Sequence, residues 1–426
     1  MKLVTAIIGF LAMVLGCFVF GFAWPDIQKG QLPSTSAISN LFGVKSGAAA
    51  TPELEFTHAY SKVLAEYIKP VDSTTLKYAG MEGLMSSLGD PHTMFMPPKA
   101  SEAFNDETKA NFGGIGARLG QDPLGARLSD VFDGGPAKEN GLKGGDIITA
   151  VDGKQVGGMD IDDVVTMIKG KEGTIVKLTW MEPGKHEPIT KAIKRARIIA
   201  PTVESKYFPD YKVGYISVAS FSEPTADQFG TEIDKLEQHP LKGLVIDLRE
   251  NPGGLLQSAC DMLGYFVEDK LVVRMKFRDG KEEIAKSPSG FLHNFNYPIL
   301  VLINEDSASA AEIFSGCLRD YGKAKLVGEH SYGKSSVQNV FPLVDQSSAK
   351  ITIAKYYLPL TPYYGRKLDQ DGGFISGGLE PDVKVDLDPN ATIDPDNPKT
   401  DAQLWRAIEM LNPQAATTAT TASAGH

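Results

Sequence analysis

Residues 213–328 alternate short apolar runs with amphipathic stretches, and this alternation restricts the possible folds more than any other feature of the sequence. Apolar runs bounded by turn residues predict buried strands, and apolar residues that recur every three or four positions predict helices. The predicted elements are strand 213–218, helix 225–237, strand 243–247, helix 255–266, strand 299–303, helix 309–321 and strand 324–328. Strands and helices that alternate in this way are typical of an α/β layer with a mostly parallel sheet.

The flanking segments have different patterns. Residues 25–51 are rich in Ser, Gly, Ala and Pro, which predicts a linker. Helical spacing of apolar residues follows in 52–108, whereas 109–200 contain many glycines and short β-branched runs around one amphipathic helix, 161–168. The C-terminal segment predicts one short helix, 402–411, and a disordered end rich in Ala and Thr. We therefore divide the chain into segments 1–24, 25–51, 52–108, 109–200, 201–388 and 389–426.

Composition narrows the function classes. The 426 residues carry a formal net charge of −10, which argues against a nucleic-acid partner, because nucleic-acid-binding domains are usually basic. The three cysteines form no CxxC pair, and their odd number argues against a disulfide framework. The histidines lie apart, with no pair at ligand spacing. We therefore predict neither a metal nor a disulfide framework.

Residues 3–24 form a run without a charged side chain, preceded only by Lys2. The run is long enough to cross a bilayer as a helix and predicts a membrane anchor. A cleaved signal ending at Gly21-Phe22-Ala23 and a lipoprotein signal acylated at Cys17 are the alternatives. All three place the rest of the chain outside the cytoplasm, so we expect a protein of the cell envelope.

Three polar segments directly follow predicted strands of the α/β region. They are Asn251-Pro252-Gly253-Gly254, Ser307-Ala308-Ser309-Ala310-Ala311-Glu312 and Gly333-Lys334-Ser335-Ser336-Val337-Gln338. Ligands of open α/β sheets bind at the carboxyl ends of the strands, so the sequence predicts that these segments meet. A serine needs an adjacent base to act as a nucleophile, a buried lysine can be that base, and a glycine turn can present backbone N–H groups to an oxyanion.

Each segment also has a simpler explanation. Ser309 and Glu312 have the spacing of a helix capping box, and Asn-Pro-Gly-Gly is a common turn. The stretch from Gly328 to Ser335 matches the phosphate-binding pattern G-x-x-x-x-G-K-[ST]. A phosphate-binding loop must open a helix, however, and the residues after Lys334 are β-prone and reach Pro342 within a few positions. A P-loop NTPase is therefore a poor second interpretation.

The combined pattern resembles the C-terminal processing (tail-specific) peptidases over about residues 52–388. The resemblance implies that Ser309 is the nucleophile, that Lys334 is its base and that Gln338 orients the lysine. It further implies that the N–H groups of Gly254 and Ala310 form the oxyanion hole. Further matching stretches are Leu88-Gly89-Asp90-Pro91-His92-Thr93, Lys355-Tyr356-Tyr357-Leu358-Pro359 and Gly378-Leu379-Glu380-Pro381-Asp382. Departures from the family pattern are Glu250, Ala311, Ser335 and the long segment 360–376.

The glycine-rich segment 109–200 resembles a PDZ domain. Its loop Gly113-Gly114-Ile115-Gly116 matches the carboxylate-binding loop of that domain. Consecutive N–H groups of such a loop can bind a terminal carboxylate, while an extended peptide adds a strand beside residues 115–119. The helix 161–168 then closes the groove.

We therefore predict a PDZ-containing serine endopeptidase without a cofactor, acting on protein substrates with a free C-terminus. The resemblance implies an α/β, crotonase-like peptidase core with an inserted PDZ domain and N-terminal helices, which serve packing or a homodimer contact. An inactive PDZ adaptor is the main alternative from a binding class, but it predicts loss of Ser309, Lys334 or Gln338. A trypsin-like PDZ protease requires a different order of motifs, and an acyl-CoA enzyme of the same core fold gives no reason for a PDZ domain.

Overall fold

The computed structural model describes residues 51–185, 187–370, 373–387, 393 and 395–414. The predicted anchor or signal, nearly all of the linker and the Ala/Thr-rich end lie outside these residues. Among the described residues, no helix is long and apolar enough to cross a membrane. The chain divides into two compact units, residues 1–83 and 84–426.

The described residues form nine helices and twenty-one strands. The helices are α1 (Pro52–Glu66), α2 (Ser73–Ser86), α3 (Pro98–Thr108), α4 (Pro136–Glu139), α5 (Ile161–Ile168), α6 (Thr225–Leu236), α7 (Leu256–Leu263), α8 (Ala310–Asp320) and α9 (Ala402–Leu411). The strands are β1 (Met94–Met96), β2 (Asn111–Gly114), β3 (Ala117–Asp122), β4 (Gly125–Val131), β5 (Ile147–Val151), β6 (Lys154–Gln155), β7 (Ile175–Met181), β8 (Ile189–Lys194), β9 (Ala196–Ile199), β10 (Val203–Phe208), β11 (Val213–Val218), β12 (Gly243–Asp247), β13 (Leu271–Phe277), β14 (Glu282–Lys286), β15 (Ile299–Ile303), β16 (Lys325–Gly328), β17 (Ser336–Pro342), β18 (Ser348–Tyr357), β19 (Lys367–Leu368), β20 (Phe374–Ser376) and β21 (Val383–Lys384).

The first unit contains α1 and most of α2. Helix α1 begins at Pro52, whose fixed φ suits the first helical turn. No residue of α1 is buried, and Leu54 and Phe56 expose about three fifths of their surface (61% and 60%). Neither use predicted for these helices, packing or a homodimer contact, is visible in α1, and the homodimer stays a prediction.

A six-stranded sheet forms the centre of the second unit, in the order β10-β11-β12-β15-β16-β21. Only β10 runs antiparallel to its neighbour, and the other pairs are parallel. All five residues of β12 and of β15 are buried, as expected for parallel strands covered on both faces. The predicted α/β layer is confirmed, and each predicted element of residues 213–328 lies within three residues of an observed one.

Helices cover both faces of this sheet. Leu244 and Ile246 of β12 join the core formed with α6, α7 and α8. Val245, which lies between them, joins a separate core with Leu404 and Ile408 of α9. Neighbouring residues of a strand point to opposite faces, so each central strand contributes to both cores.

A second, antiparallel sheet was not predicted from the sequence. Its order is β1-β18-β13-β14, and β17 also pairs with β18. These strands mix buried, half-buried and exposed positions, and they lack the wholly buried apolar runs that identified the central strands. Strand β17 follows Lys334 directly and therefore brings the lysine segment to this sheet.

Residues 111–199 form a separate β-rich region. The strands β3-β4-β5-β7-β8 make one sheet, and β6 pairs with β5. Helix α5 packs on this sheet, and Val164 and Ile168 of the helix are buried in its core. Strands β2 and β9 pair antiparallel where the chain enters and leaves the region, with Asn111 opposite Ile199.

A buried ionic cluster ties α9 to the end of β12. The Arg249 guanidinium lies 2.6 Å from a carboxylate oxygen of Asp247 and 2.6 Å from one of Asp401. Tyr215 donates to Asp247 at 2.9 Å, and Arg249 also donates to the side-chain oxygen of Gln403. Removing one member of such a cluster leaves an uncompensated buried charge.

We expect Asp401→Asn to destabilise the fold by about 3–5 kcal/mol, because Arg249 loses one of its two carboxylates in a buried site. Asparagine still accepts a hydrogen bond at a helix N-cap, so this substitution separates the ion pair from the cap that Asp401 provides to Leu404. Asp386→Asn breaks the exposed pair with Lys384 and is the matched control, with an expected loss below about 1 kcal/mol. Urea denaturation compares the variants, and equal losses for both contradict the assignment.

Candidate active site

A cavity of about 590 Å³ collects the residues that the sequence predicts for catalysis. Its lining includes Ser309, Ala310, Lys334, Gln338 and Gly254. These residues come from the three predicted segments after β12, β15 and β16. The carboxyl ends of parallel strands lie at one edge of a sheet, which explains how segments far apart in sequence meet here.

Ser309 is placed at a sharp turn between β15 and α8. Its φ of 55° lies in the left-handed region, which costs energy for any residue with a Cβ atom. Strained backbone of this kind occurs preferentially at functional sites. The turn leaves Ser309 half-buried at the cavity wall while the helix that follows is almost wholly buried.

The Glu312 carboxylate holds the serine turn and the lysine segment together. It is fully buried, and burial raises its pKa to about 7 although several hydrogen bonds oppose the shift. Its two oxygens accept hydrogen bonds from the Ser309 N–H at 2.8 Å, the Lys334 N–H at 2.9 Å, the Gly333 N–H at 2.6 Å and the Ser331 hydroxyl at 2.5 Å. The sequence predicted a capping box of Ser309 and Glu312. The structure shows that Glu312 also bonds the lysine segment.

Lys334 is half-buried in the loop between β16 and β17. Burial, and secondly the nearby Lys350 cation, lower the pKa of the Lys334 amine. Its carbonyl accepts a hydrogen bond from the Tyr356 hydroxyl, which fixes the backbone of the loop. Ser309 and Lys334 line the same cavity, and no hydrogen bond joins Ser309 Oγ to Lys334 Nζ. Catalytic hydrogen bonds are often formed only when substrate binds.

The Asn-Pro-Gly-Gly turn is held rigidly beside Ser309. Asn251 donates from its side chain to the Val218 carbonyl at 2.6 Å and accepts from the Gly253 N–H at 2.8 Å. Among the described residues, no acceptor takes the N–H of Gly254 or of Ala310. Both residues line the cavity, so two N–H groups are available there for a ligand oxygen.

Steric constraints require both glycines of the turn. A Cβ atom on Gly253 would lie 2.7 Å from Ser309 Cβ, and one on Gly254 would lie 2.1 Å from the Phe221 carbonyl oxygen. Both glycines have positive φ values, 95° and 142°. A side chain at either position would therefore displace the turn from its present place.

Gln338 lines the cavity but contacts other groups than the predicted one. Its side-chain N–H₂ donates to Ser336 Oγ at 2.9 Å and to Thr352 Oγ1 at 3.1 Å. No hydrogen bond joins Gln338 to Lys334 in this structure, so its orienting role stays a prediction.

Among the cavity residues that sequence reasoning missed are Lys350 and Tyr356. Tyr356 was noted only as part of a family motif, and Lys350 was not singled out. Lys350, Thr352 and Ala354 are spaced two residues apart, as residues on one face of a strand are, and this spacing could have identified Lys350. Among the described residues, no group of three His, Cys, Asp or Glu side chains is placed to hold a metal ion.

The structure contradicts a phosphate-binding loop at residues 328–335. The residues after Lys334 form strand β17, and no helix begins there to direct N–H groups at a phosphate.

A second groove, of about 230 Å³, lies between β3 and α5. Gly114, Ile115 and Gly116 line it, and the N–H groups of Ile115 and Gly116 find no acceptor among the described residues. Gly113 lies in β2 outside the lining, and a Cβ atom there would come 1.9 Å from the Gly170 carbonyl oxygen. The structure therefore gives Gly113 a packing role and leaves the next three residues at the groove.

Comparison with known proteins identifies both regions. A model of peptidase family S41 matches residues 212–385, and a PDZ domain model matches residues 128–181. The chain is 34% identical over 377 residues to the carboxy-terminal processing protease CtpB of Bacillus subtilis, covering 87% of this chain and 76% of the relative. It is 33% identical over 352 residues to CtpA of the same organism, covering 82% of this chain and 72% of the relative.

A solved photosystem II D1 C-terminal processing protease aligns with 79% of this chain and 87% of its own, at 26% identity and a TM-score of 0.43. The extent and identity of the match to the two Bacillus proteins decide the assignment. The chain belongs to the carboxy-terminal processing proteases of peptidase family S41, which makes it a serine-type peptidase with a PDZ domain.

Proposed function

We propose that this peptidase is an endopeptidase that uses a Ser309–Lys334 dyad and recognises the C-terminus of its protein substrates through the PDZ groove. One observation carries the proposal. A single cavity contains the strained serine, a lysine of lowered pKa and the unpaired N–H groups of Gly254 and Ala310. These are the nucleophile, base and oxyanion donors that acyl transfer requires.

In the proposed mechanism, the neutral Lys334 amine accepts the Ser309 proton as Oγ attacks the scissile carbonyl. The oxygen of that carbonyl becomes negative and accepts hydrogen bonds from the N–H groups of Gly254 and Ala310. The protonated lysine then supplies its proton to the leaving amine, and an acyl-serine remains. Lys334 deprotonates a water that attacks this ester. The protonated lysine then gives that proton to Ser309 Oγ, which releases the second product as an acid and restores the serine hydroxyl.

The groove between β3 and α5 supports recognition of a free C-terminus. Two unpaired N–H groups, of Ile115 and Gly116, can donate hydrogen bonds to a carboxylate, and β3 offers an edge for an added peptide strand. The names of the Bacillus relatives describe carboxy-terminal processing, which agrees with this substrate class.

We further propose a crotonase-like arrangement for the peptidase core, which the mostly parallel six-stranded sheet with helices on both faces supports. An envelope location follows from the uncharged run of residues 3–24. In this view the N-terminal segment tethers the peptidase to the membrane and the catalytic region works outside the cytoplasm.

Ser309→Ala and Lys334→Ala should each lower kcat/KM for an unfolded protein substrate by at least about a thousandfold, because each removes a partner of one proton transfer. The double variant should lose little more, since the two residues act as a unit. Lys384 is exposed and outside the cavity lining, so Lys384→Ala is the control and should keep parental activity. Near-normal cleavage by either single variant, with folding verified by circular dichroism, contradicts the dyad.

A peptide with a free apolar C-terminus should bind the PDZ groove at least about tenfold more tightly than the same peptide with a C-terminal amide. The amide lacks the negative charge that the N–H groups of the loop stabilise. Isothermal titration against the Ser309→Ala protein measures both affinities without cleavage. Equal affinities would mean that the loop does not bind a carboxylate.

The mature protein should retain residues 1–24 and fractionate with membranes, while a shortened chain beginning at Pro52 should stay in the soluble fraction. Intact-mass measurement of the purified mature protein tests this. A mature N-terminus after Ala23 instead indicates a cleaved signal, and a lipid on Cys17 indicates a lipoprotein.

A further inference from the structure

Two lysines face the cavity that holds Ser309, although the mechanism uses only one. Lys334 and Lys350 are both half-buried and both line the cavity. Lys350 belongs to β18, where Val340 of β17 and Met94 of β1 are its neighbours across the sheet. Strands on both sides fix the backbone of Lys350, so its side chain always starts from the same point beside the cavity.

Lys350 lies on the face of β18 that borders the cavity. Alternate residues of a strand share one face, and Thr352, two positions beyond Lys350, bonds the cavity residue Gln338. Helix α3 supplies the other neighbours of Lys350. The centre of the Phe104 ring lies 5.0 Å from Lys350 Nζ. The negative charge of Glu107 favours the protonated form of Lys350.

Both lysines are in an environment that disfavours two positive charges. Burial lowers the pKa of each amine, and neither forms an ion pair with another described residue. For Lys334 the second cause is the charge of Lys350. For Lys350 the opposing influence is Glu107, which favours its charged form.

Other charged groups also face Lys334. Glu312 and Asp90 favour its protonated form. Glu312 acts from a carboxylate whose two oxygens already accept four hydrogen bonds. His92 lies on the same side and has a lowered pKa from burial first and then from the positive charge of Lys334. Burial and Lys350 therefore lower the pKa of Lys334, and these two carboxylates oppose that shift.

We propose that Lys350 is a positioning residue that acts through Lys334, and that its ammonium group keeps the proton off the Lys334 amine by charge repulsion across the cavity. The two amines form a coupled pair that carries one proton at the working pH. Phe104 and Glu107 stabilise that proton on Lys350, by the ring face and by charge. Lys334 is left neutral and able to accept the Ser309 proton.

This inference rests on the proposed role of Lys334 as the base, and its test is a pH profile. Lys350→Met removes the charge and keeps the length of the side chain. The pKa of Lys334 should then rise, because a neighbouring positive charge no longer opposes protonation. Protonated Lys334 cannot act as a base, so the acidic limb of kcat/KM should move to higher pH by about one unit. Well above that limb, kcat/KM should return to nearly the parental value.

Two variants control for structural effects. Lys350→Arg keeps the positive charge and should leave the limb within about 0.3 units of its parental position. Lys355→Met changes a lysine of the same strand that is exposed and outside the cavity lining, and it should leave the whole profile unchanged. A merely structural role of Lys350 would lower activity equally at every pH.

A second readout does not depend on activity. In the inactive Ser309→Ala protein, the rate at which an amine-reactive acetylating reagent labels Lys334 is followed against pH by peptide mass spectrometry. The labelling midpoint of Lys334 should rise by the same amount in Ser309→Ala/Lys350→Met. This measurement reports the charge coupling even if Ser309 and Lys334 prove not to be the catalytic pair.

An unchanged labelling midpoint for Lys334 after Lys350→Met overturns the proposal. It is equally overturned if Lys350→Arg moves the acidic limb as far as Lys350→Met does. A change confined to KM, with the limb in place, also rejects it and makes Lys350 a substrate contact instead. If Lys334→Ala keeps full activity, the proposed function fails, while the labelling result still decides the coupling between the two lysines.

Discussion

The buried Glu312 carboxylate is the interaction on which the catalytic geometry depends. It lies in the first turn of α8 and accepts hydrogen bonds from the backbone of both the serine turn and the lysine segment. A backbone hydrogen bond from the Tyr332 N–H to the Ser307 carbonyl, at 3.0 Å, also joins these two segments. A carboxylate with this many donors is satisfied despite complete burial, and it sets the separation of nucleophile and base through the main chain.

The remaining parts of the site are fixed by the same means, with polar side chains bonded to backbone. Asn251 holds the oxyanion turn to the end of β11, and Tyr356 holds the carbonyl of Lys334. The Arg249 cluster anchors the start of the oxyanion turn to α9 on the far face of the sheet. The reactive groups themselves have few direct contacts, so the frame is rigid while the serine hydroxyl and the lysine amine stay free to react.

The central fold and the main site residues were predictable from the sequence because each has a local signature. Strands buried on both faces, such as β12 and β15, read as continuous apolar runs, and the catalytic segments follow them directly. The strands of the antiparallel sheet lack continuous apolar runs, so the sheet was not predicted. Its cavity residues Lys350 and Tyr356 were missed for the same reason. The partners of Gln338 depend on the register of β17 against β18, including a bulge beside Gln338, and no sequence pattern specifies that register.

The antiparallel pair of β2 and β9 lies where the chain enters and leaves the β-rich region of residues 111–199. Because Asn111 and Ile199 lie opposite each other, the chain leaves the main fold and returns to it at neighbouring positions. A domain with adjacent ends can be lengthened, exchanged or lost by recombination without changing the register of the strands around Ser309. Evolution can therefore alter the PDZ domain while leaving the cavity around Ser309 unchanged.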